Sequence, residues 1–353
     1  MKIGIIGFGG TGKTTVFRAL TGVSVPDGPA ASLQHKNLGT VEVHDPRLAH
    51  LRSLFNPKKY TPARFEIVDF AGIPRESVKG KSELFESMRD ADALLFVIGG
   101  FTGGAFEADA ALADPRKQLA SLADELQFSD LELLEKRRER LEAGLKKGSK
   151  NKEADEKLLA LVKRCYEHLE THGTLHDFEK SRDDDKLFSG LKFLSEKPRI
   201  VLFNVAEADL ARRTAELDPG PGAFVMCAAI EAEIASLPPA ERAEFLNSYG
   251  MQEPLARRVA SAAFAALALI SFFTVGEDEV RAWAIQRGDD AVTAAGKIHT
   301  DLARGFIRAE VVPYESVRAA QNQKDYKQLG RQDLKGKDYV VADGDIINIR
   351  FSV

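Results

Sequence analysis

Cysteine is nearly absent: Cys165 and Cys227 are the only two in 353 residues, which excludes a disulfide scaffold and suits a reducing compartment. A basic excess is also missing. The 49 Lys and Arg face 53 Asp and Glu, for a formal net charge of -4, so any hold on nucleic acid must come from a local patch. Long apolar runs are lacking too. The longest, Ala262 to Phe273, includes Ser271, falls short of the ~18 residues of a membrane span and reads as a buried helix. No targeting pattern is seen, because Met1 and Lys2 lead straight into Ile3-Gly4-Ile5-Ile6 and a glycine-rich loop. These absences predict a cytoplasmic chain with no membrane partner. With 44% hydrophobic and 29% charged residues the composition is globular, and the length predicts two or three domains.

The first informative segment follows at once. Gly7-Phe8-Gly9-Gly10-Thr11-Gly12-Lys13-Thr14 fits G-x-x-x-x-G-K-[ST], set between a predicted strand (Ile3 to Ile6) and a predicted helix starting at Thr15. Glycines let the backbone close around phosphates with its N–H groups turned inward. The Lys13 ammonium reaches the β/γ oxygens, and the Thr14 hydroxyl can ligate Mg²⁺. Gly9, Gly10, Thr11, Gly12, Lys13, Thr14 and Thr15 are therefore the candidate phosphate-binding residues.

A second strand, Arg64 to Val68, runs into Asp69-Phe70-Ala71-Gly72. This D-x-x-G supplies a carboxylate for the Mg²⁺ shell at Asp69 and a backbone N–H for the γ-phosphate at Gly72. Ile73 comes next, where Ras-like GTPases place the glutamine that orients the attacking water. An isoleucine cannot hydrogen-bond water, so slow hydrolysis is expected. Further predicted strands at Ala93–Ile98 and Arg199–Phe203 give a βαβ alternation and a parallel sheet. The latter ends at Asn204-Val205-Ala206-Glu207. A guanine reader would be N-K-x-D, but Val205 replaces the lysine that packs on the base and Glu207 is a methylene too long. The bidentate guanine contact is thus disfavoured, and adenine becomes a serious candidate. Cys227-Ala228-Ala229, after apolar Ala223-Phe224-Val225, stands at the place of a second base-contacting loop.

Together these segments resemble the YchF family, also called Obg-like ATPases. The resemblance extends over nearly the whole chain, through Asp45-Pro46-Arg47-Leu48, Asp69 to Ile73, Asn204 to Glu207 and Cys227 to Ile234. Its most specific part is C-terminal: Phe272-Phe273-Thr274, Glu279 to Trp283, Ala295 to Asp301, Gly305 to Glu310 and Asp343-Gly344-Asp345. The resemblance implies a nucleotidase with relaxed or ATP-preferring base choice, a helical insertion, a C-terminal β-grasp TGS domain, and association with the ribosome. Gly10 stands where the family has an asparagine. Switch I here reads Ala30 to Gly39, leaving Ser32 as the Mg²⁺-side hydroxyl. The loop after Phe101 shows Ala105-Phe106-Glu107 in place of the family's histidine, which again predicts slow turnover.

Asp114 to Asp177 interrupts the α/β pattern. Leu131, Leu134, Leu141 and Leu145 recur at helical spacing, as do Leu158, Leu161, Cys165 and Leu169, with Gly148-Ser149 between, so an antiparallel helical hairpin is predicted. Its tip, Lys136 to Lys152, carries a net of +6. That is either a solvated face or a phosphate-backbone contact to ribosomal RNA. Cys165, His168 and His172 share a helical face, yet with only the distant His176 as a fourth ligand they are read as packing and solvent.

The expected fold is α/β: a P-loop domain with a parallel-rich sheet over 1–112 and 192–270, a helical insertion over 113–191, and a TGS domain over 271–353. The expected function is slow Mg²⁺-dependent hydrolysis of ATP, or also GTP, on a ribosome-associated protein. Lys13 and Gly72 take the catalytic places; Thr14, Asp69 and Ser32 hold metal; Asn204, Val205, Glu207, Cys227, Ala228 and Ala229 line the base. The alternatives are a catalytically weak ribosome or RNA adaptor that retains nucleotide binding, and a GTP-preferring GTPase. An RNA-binding protein without nucleotide dependence is the third class.

Overall fold

The computed structural model describes residues 1–25, 33, 35–74, 76, 79–101, 114–188, 190–217, 220, 222–249 and 251–352. Its strands are β1 (Lys2–Ile6), β2 (Lys36–Glu42), β3 (Lys59–Thr61), β4 (Arg64–Phe70), β5 (Ala93–Gly99), β6 (Arg199–Asn204), β7 (Ala223–Met226), β8 (Leu269–Val275), β9 (Glu279–Gln286), β10 (Phe306–Pro313), β11 (Asp333–Lys335) and β12 (Asp345–Phe351). They form two sheets, and the chain divides into two compact units: Met1–Gly39 with Ile67–Gly250, and Thr40–Glu66 with Met251–Val353.

In the first unit the strand order is β2-β4-β1-β5-β6-β7. β1 pairs with β5, β5 with β6 and β6 with β7, all parallel. β5 (ALLFVIG) is buried along its whole length, as a strand covered on both faces must be. The P-loop follows β1, Val205–Glu207 follow β6, and Cys227–Ala229 follow β7. All three therefore gather at the carboxyl edge of a parallel sheet, where such folds bind ligands.

The predicted hairpin is present in this same unit. Helices Pro115–Lys146 and Lys152–His172 pack through Leu134, Leu141, Leu158, Leu161, Val162, Cys165 and Leu169, and Gly148 sits in the turn at φ +83°. Its base is fastened by a network that sequence reasoning did not find. Asp130, fully buried, accepts from the Ser195 N–H and hydroxyl, both at 2.7 Å, and from the Leu194 N–H at 3.1 Å. Arg89 pairs with the same carboxylate.

The second unit's sheet runs β11-β10-β12-β8-β9-β3. β8 and β9 form an antiparallel hairpin, β12 lies parallel to β8, and β10 is antiparallel to β12. Helix Ala291–Ile298 buries Ala291, Ala294 and Ala295 in the core beneath. This order is that of a β-grasp fold.

One expectation is corrected here. Ala262 to Phe273 is not one helix. Helix Leu255–Ala266 stops, Ala268 turns left-handed at φ 50°, and β8 begins; the β-branched and aromatic residues from Ile270 favour a strand. The unit boundaries also differ from 1–112, 192–270 and 271–353. The insertion stays with the first unit, while residues 40–66 and 251–270 join the C-terminal one. β3 extends the β9 edge in parallel, from Lys59↔Glu279 to Thr61↔Arg281. Asp45 caps helix Pro46–Phe55, and Arg47 bridges Asp45 (2.8 Å) to Asp343 (2.9 Å). Asp45-Pro46-Arg47-Leu48 and Asp343-Gly344-Asp345, 296 positions apart by that contact, are two halves of one joint.

Candidate functional site

The strand–loop–helix at the N-terminus is realised as β1, the glycine loop and helix Lys13–Thr21. Gly10 (φ 82°) and Gly12 (φ 84°) occupy the left-handed region, which a side chain would strain. Thr11 is fully buried and its hydroxyl donates to the Phe8 carbonyl at 3.2 Å. Lys13 is 7% exposed and its Nζ donates to the same carbonyl at 2.9 Å. Burial lowers its pKa to about 8, against the opposing pull of Asp69. An ammonium held this way is poorly solvated and gains strongly from a phosphate partner.

Asp69, at the end of β4, is 3% exposed. Its Oδ2 accepts from the Thr14 hydroxyl at 2.8 Å and from the Asn37 amide at 3.1 Å. Its Oδ1 is buried with no hydrogen-bond partner among the described residues. Such an atom is costly to bury unless a donor or a cation meets it. The Thr14 oxygen, its proton directed at Asp69, keeps lone pairs for a cation. A hard oxygen pair of this kind fits Mg²⁺. Ser32 and the Ala105-Phe106-Glu107 loop lie outside the described residues. Asn37, from switch I, was not foreseen as a partner of Asp69; no local pattern marks it.

Gly72 is required by proximity. A Cβ there would lie 2.7 Å from the Gly9 Cα and 2.8 Å from its nitrogen, with Lys13 Nζ at 3.3 Å. The next residue donates its N–H to the Gly7 carbonyl at 3.0 Å, so D-x-x-G docks directly on the P-loop. Ile73 itself is 1% exposed and belongs to the core with Phe8, Val68, Phe70 and Leu84. It occupies the packing, not the water-orienting position.

The base side departs further from expectation. Asn204 is buried, its amide donating to the Thr11 carbonyl at 3.0 Å and its Oδ1 accepting from the Ala228 N–H at 3.0 Å. It is a strut between the P-loop and the Cys227–Ala229 loop. Gly12 makes room for it, since a Cβ at Gly12 would come within 2.2 Å of Asn204 Nδ2. Val205 is 2% exposed and sits in the core, against Gly100, so it presents no face to a base. Cys227 and Ala228 are buried and Ala229 is exposed. Glu207 is exposed and accepts a hydrogen bond from the Tyr249 hydroxyl at 3.0 Å, a residue that sequence reasoning missed.

Away from this site, His168 and His172 stack at 4.1 Å and His168 meets Asp177 at 3.3 Å. Burial pushes the Cys165 thiol up to about 12. Among the described residues no group of three or more His, Cys, Asp and Glu side chains is arranged to hold a metal. At the hairpin tip Lys136, Arg138 and Lys152 pair with Glu132, Glu135 and Glu156. Arg140, Lys146, Lys147 and Lys150 are exposed. No described helix is long and apolar enough to cross a membrane.

Comparison with known proteins agrees with this geometry. A family model described as a 50S ribosome-binding GTPase matches residues 2–136. The model of the YchF GTPase C-terminal domain, described as a protein of unknown function, matches residues 269–352. Proteins named ribosome-binding ATPase YchF from Haemophilus ducreyi and Bacillus subtilis are each 35% identical to the chain, over 100% of it and 99% and 100% of their own lengths. The protein of that name from Escherichia coli O157:H7 is 34% identical over the same share of the chain. The solved structure of the Schizosaccharomyces pombe YchF GTPase superposes with a TM-score of 0.82 at 26% identity, covering 99% of this chain and 97% of that one.

Proposed function

The chain belongs to the YchF family, and on that premise we propose that it is a slow, Mg²⁺-dependent ATPase of the cytoplasm that associates with ribosomes and also accepts GTP. The observation that carries the reading is the trio of buried Lys13, half-buried Thr14 and buried Asp69, with one carboxylate oxygen left without a partner among the described residues. Bound Mg²⁺ would supply charge neutralisation between the β and γ phosphates. Thr14 and Asp69 would hold it, Lys13 would neutralise phosphate oxygens, and the Gly72 N–H would be offered to the γ-phosphate. Ser32 is proposed as the switch I ligand. Gly9, Gly10, Thr11, Gly12 and Thr15 would wrap the phosphates, and the exposed Glu207 and Ala229 would border the base, positioned by Asn204 and the Cys227–Ala228 turn.

Slow turnover follows from Ile73, whose side chain is committed to the core and cannot orient water. The β-grasp unit is proposed to serve as a TGS-type partner module, together with the hairpin tip, on ribosomal RNA. The test is side-by-side calorimetric titration of ATP and GTP with Mg²⁺, then turnover with purified ribosomes present and absent. ATP binding at least as tight as GTP, low basal turnover and stimulation by ribosomes are expected. A tenfold GTP preference, about 1.4 kcal/mol, would overturn the choice of base. Fast basal turnover would overturn the assignment of Ile73, and turnover that ignores ribosomes would leave an adaptor with vestigial hydrolysis.

A further inference from the structure

Resting on the Mg²⁺-nucleotide reading above, we infer that Asn37 is a positioning residue: with the Thr14 hydroxyl, its amide holds the Asp69 carboxylate so that Oδ1 is the oxygen offered to Mg²⁺. Asp69 has two oxygens and two neighbouring donors, which could have met one oxygen each. Both go instead to Oδ2, the Thr14 hydroxyl at 2.8 Å and the Asn37 Nδ2 at 3.1 Å. Oδ1 lies buried with no hydrogen-bond partner among the described residues. A carboxylate with one bare, buried oxygen would gain by turning it toward a donor. Two donors that converge on Oδ2 from different elements oppose that turn, one from helix Lys13–Thr21 behind the glycine loop and the other from the start of β2.

Asn37 is itself fixed by the strand that carries it. Alternate residues of a strand share a face, and Asn37 and Gly39 are half-buried on either side of Leu38, which is 65% exposed. Gly39 lies directly on the helix that bears Thr14. A Cβ there would come 2.7 Å from the Thr21 Cγ2 and 2.8 Å from the Cζ of Phe17, which is fully buried. This close approach sets the register of β2 against helix Lys13–Thr21. Two residues earlier on the same face, that register brings the Asn37 amide to Asp69. The amide is neutral, so it orients the carboxylate without a charge that would compete with the cation.

The test is Asn37→Ala and, separately, Asn37→Leu, which keeps the volume of the side chain without its donor. ATP affinity of the full chain is measured by calorimetry in EDTA and across a Mg²⁺ series, for each variant alone and in an Asp69→Ala background. With either variant, the Mg²⁺ concentration giving half of the metal-dependent gain in affinity should rise 3- to 10-fold. Affinity in EDTA should stay within twofold of the parent, and no such rise is expected once Asp69 is Ala. A midpoint moved less than twofold overturns the inference, and so does a rise with Ala that Leu does not reproduce, since lost volume would then be the cause. An equal rise in the Asp69→Ala background, or a loss of affinity as large in EDTA as in Mg²⁺, also overturns it, because Asn37 would then shape the pocket without acting through Asp69. If Mg²⁺ brings the parent no gain in ATP affinity, the Mg²⁺ reading fails and takes the inference with it; a gain in the parent with an unmoved midpoint in the variants removes the inference alone.

Discussion

The two ends of the nucleotide site are built on opposite principles. At the proposed phosphate end, Thr11, Lys13 and Asp69 are all buried, the first two donating to the Phe8 carbonyl and the third accepting from Thr14. At the proposed base end, Glu207, Ala229 and the neighbouring Tyr249 are exposed. Buried groups are pre-oriented and poorly solvated, so each interaction weighs heavily and tolerates little change. Exposed groups compete with water and weigh little. On the proposed reading, phosphate chemistry is held rigidly, whereas base choice would rest on a few solvent-facing contacts that single substitutions can retune.

That contrast can be broken most severely at Lys13. Lys13→Ala should cost both nucleotides about 2–5 kcal/mol of binding, the usual loss for one partner of a buried charge pair, as read by calorimetry. The same group gives the contrast a pH signature. With a pKa of about 8 in the free protein, Lys13 is charged below that pH and loses its proton above it. Bound phosphate stabilises the ammonium, so above pH 8 binding must take up a proton. Affinity should therefore be level below about pH 7 and fall as pH rises past 8, by up to about tenfold per unit. A flat profile to pH 9.5 would contradict the placement of Lys13 against phosphate.

Ile73→Ala separates packing from chemistry. It should lower stability by about 2–5 kcal/mol, as core truncations do, seen by chemical denaturation, while turnover per folded molecule stays unchanged. Asn204→Ala should come next, leaving the Thr11 carbonyl and the Ala228 N–H without their partner at about 1–3 kcal/mol each, and weakening ATP and GTP alike. A loss confined to one nucleotide would show that Asn204 reads the base and is not a strut.

The smallest effects belong to the exposed tip. Reversing Arg140, Lys146, Lys147 and Lys150 to Glu should leave nucleotide affinity and stability nearly unchanged. It should weaken ribosome cosedimentation and flatten its salt dependence, by about 0.7 to 0.9 in log–log slope per lost phosphate contact. The choice of residues follows the structure: Arg138 already pairs with Glu135 and lies over the Tyr166 ring, so reversing it would disturb the hairpin itself. Cosedimentation equal to the parent at low and high salt would reduce the basic run to a solvated face.

What was legible in the chain was what neighbouring residues impose on one another. Strand, glycine loop and helix at residues 2–21, the D-x-x-G after a strand, and the leucine-spaced hairpin all follow from short-range spacing and backbone sterics. The family-specific C-terminal blocks were visible as well, though not the reason for them. Only the fold decides where a side chain near a motif points, because that depends on residues brought in from far along the chain. Ile73 and Val205 turn into a core assembled from β1, β4, β5 and β6. Asn204 spends its amide on Thr11, 193 positions away. Tyr249 reaches Glu207 across 42, and Arg47 draws residues 40–66 to Asp343. Local geometry has a sequence signature because it repeats with the period of the backbone; long-range pairing has none, since it is selected by burial and by the need to satisfy polar groups once the chain is compact.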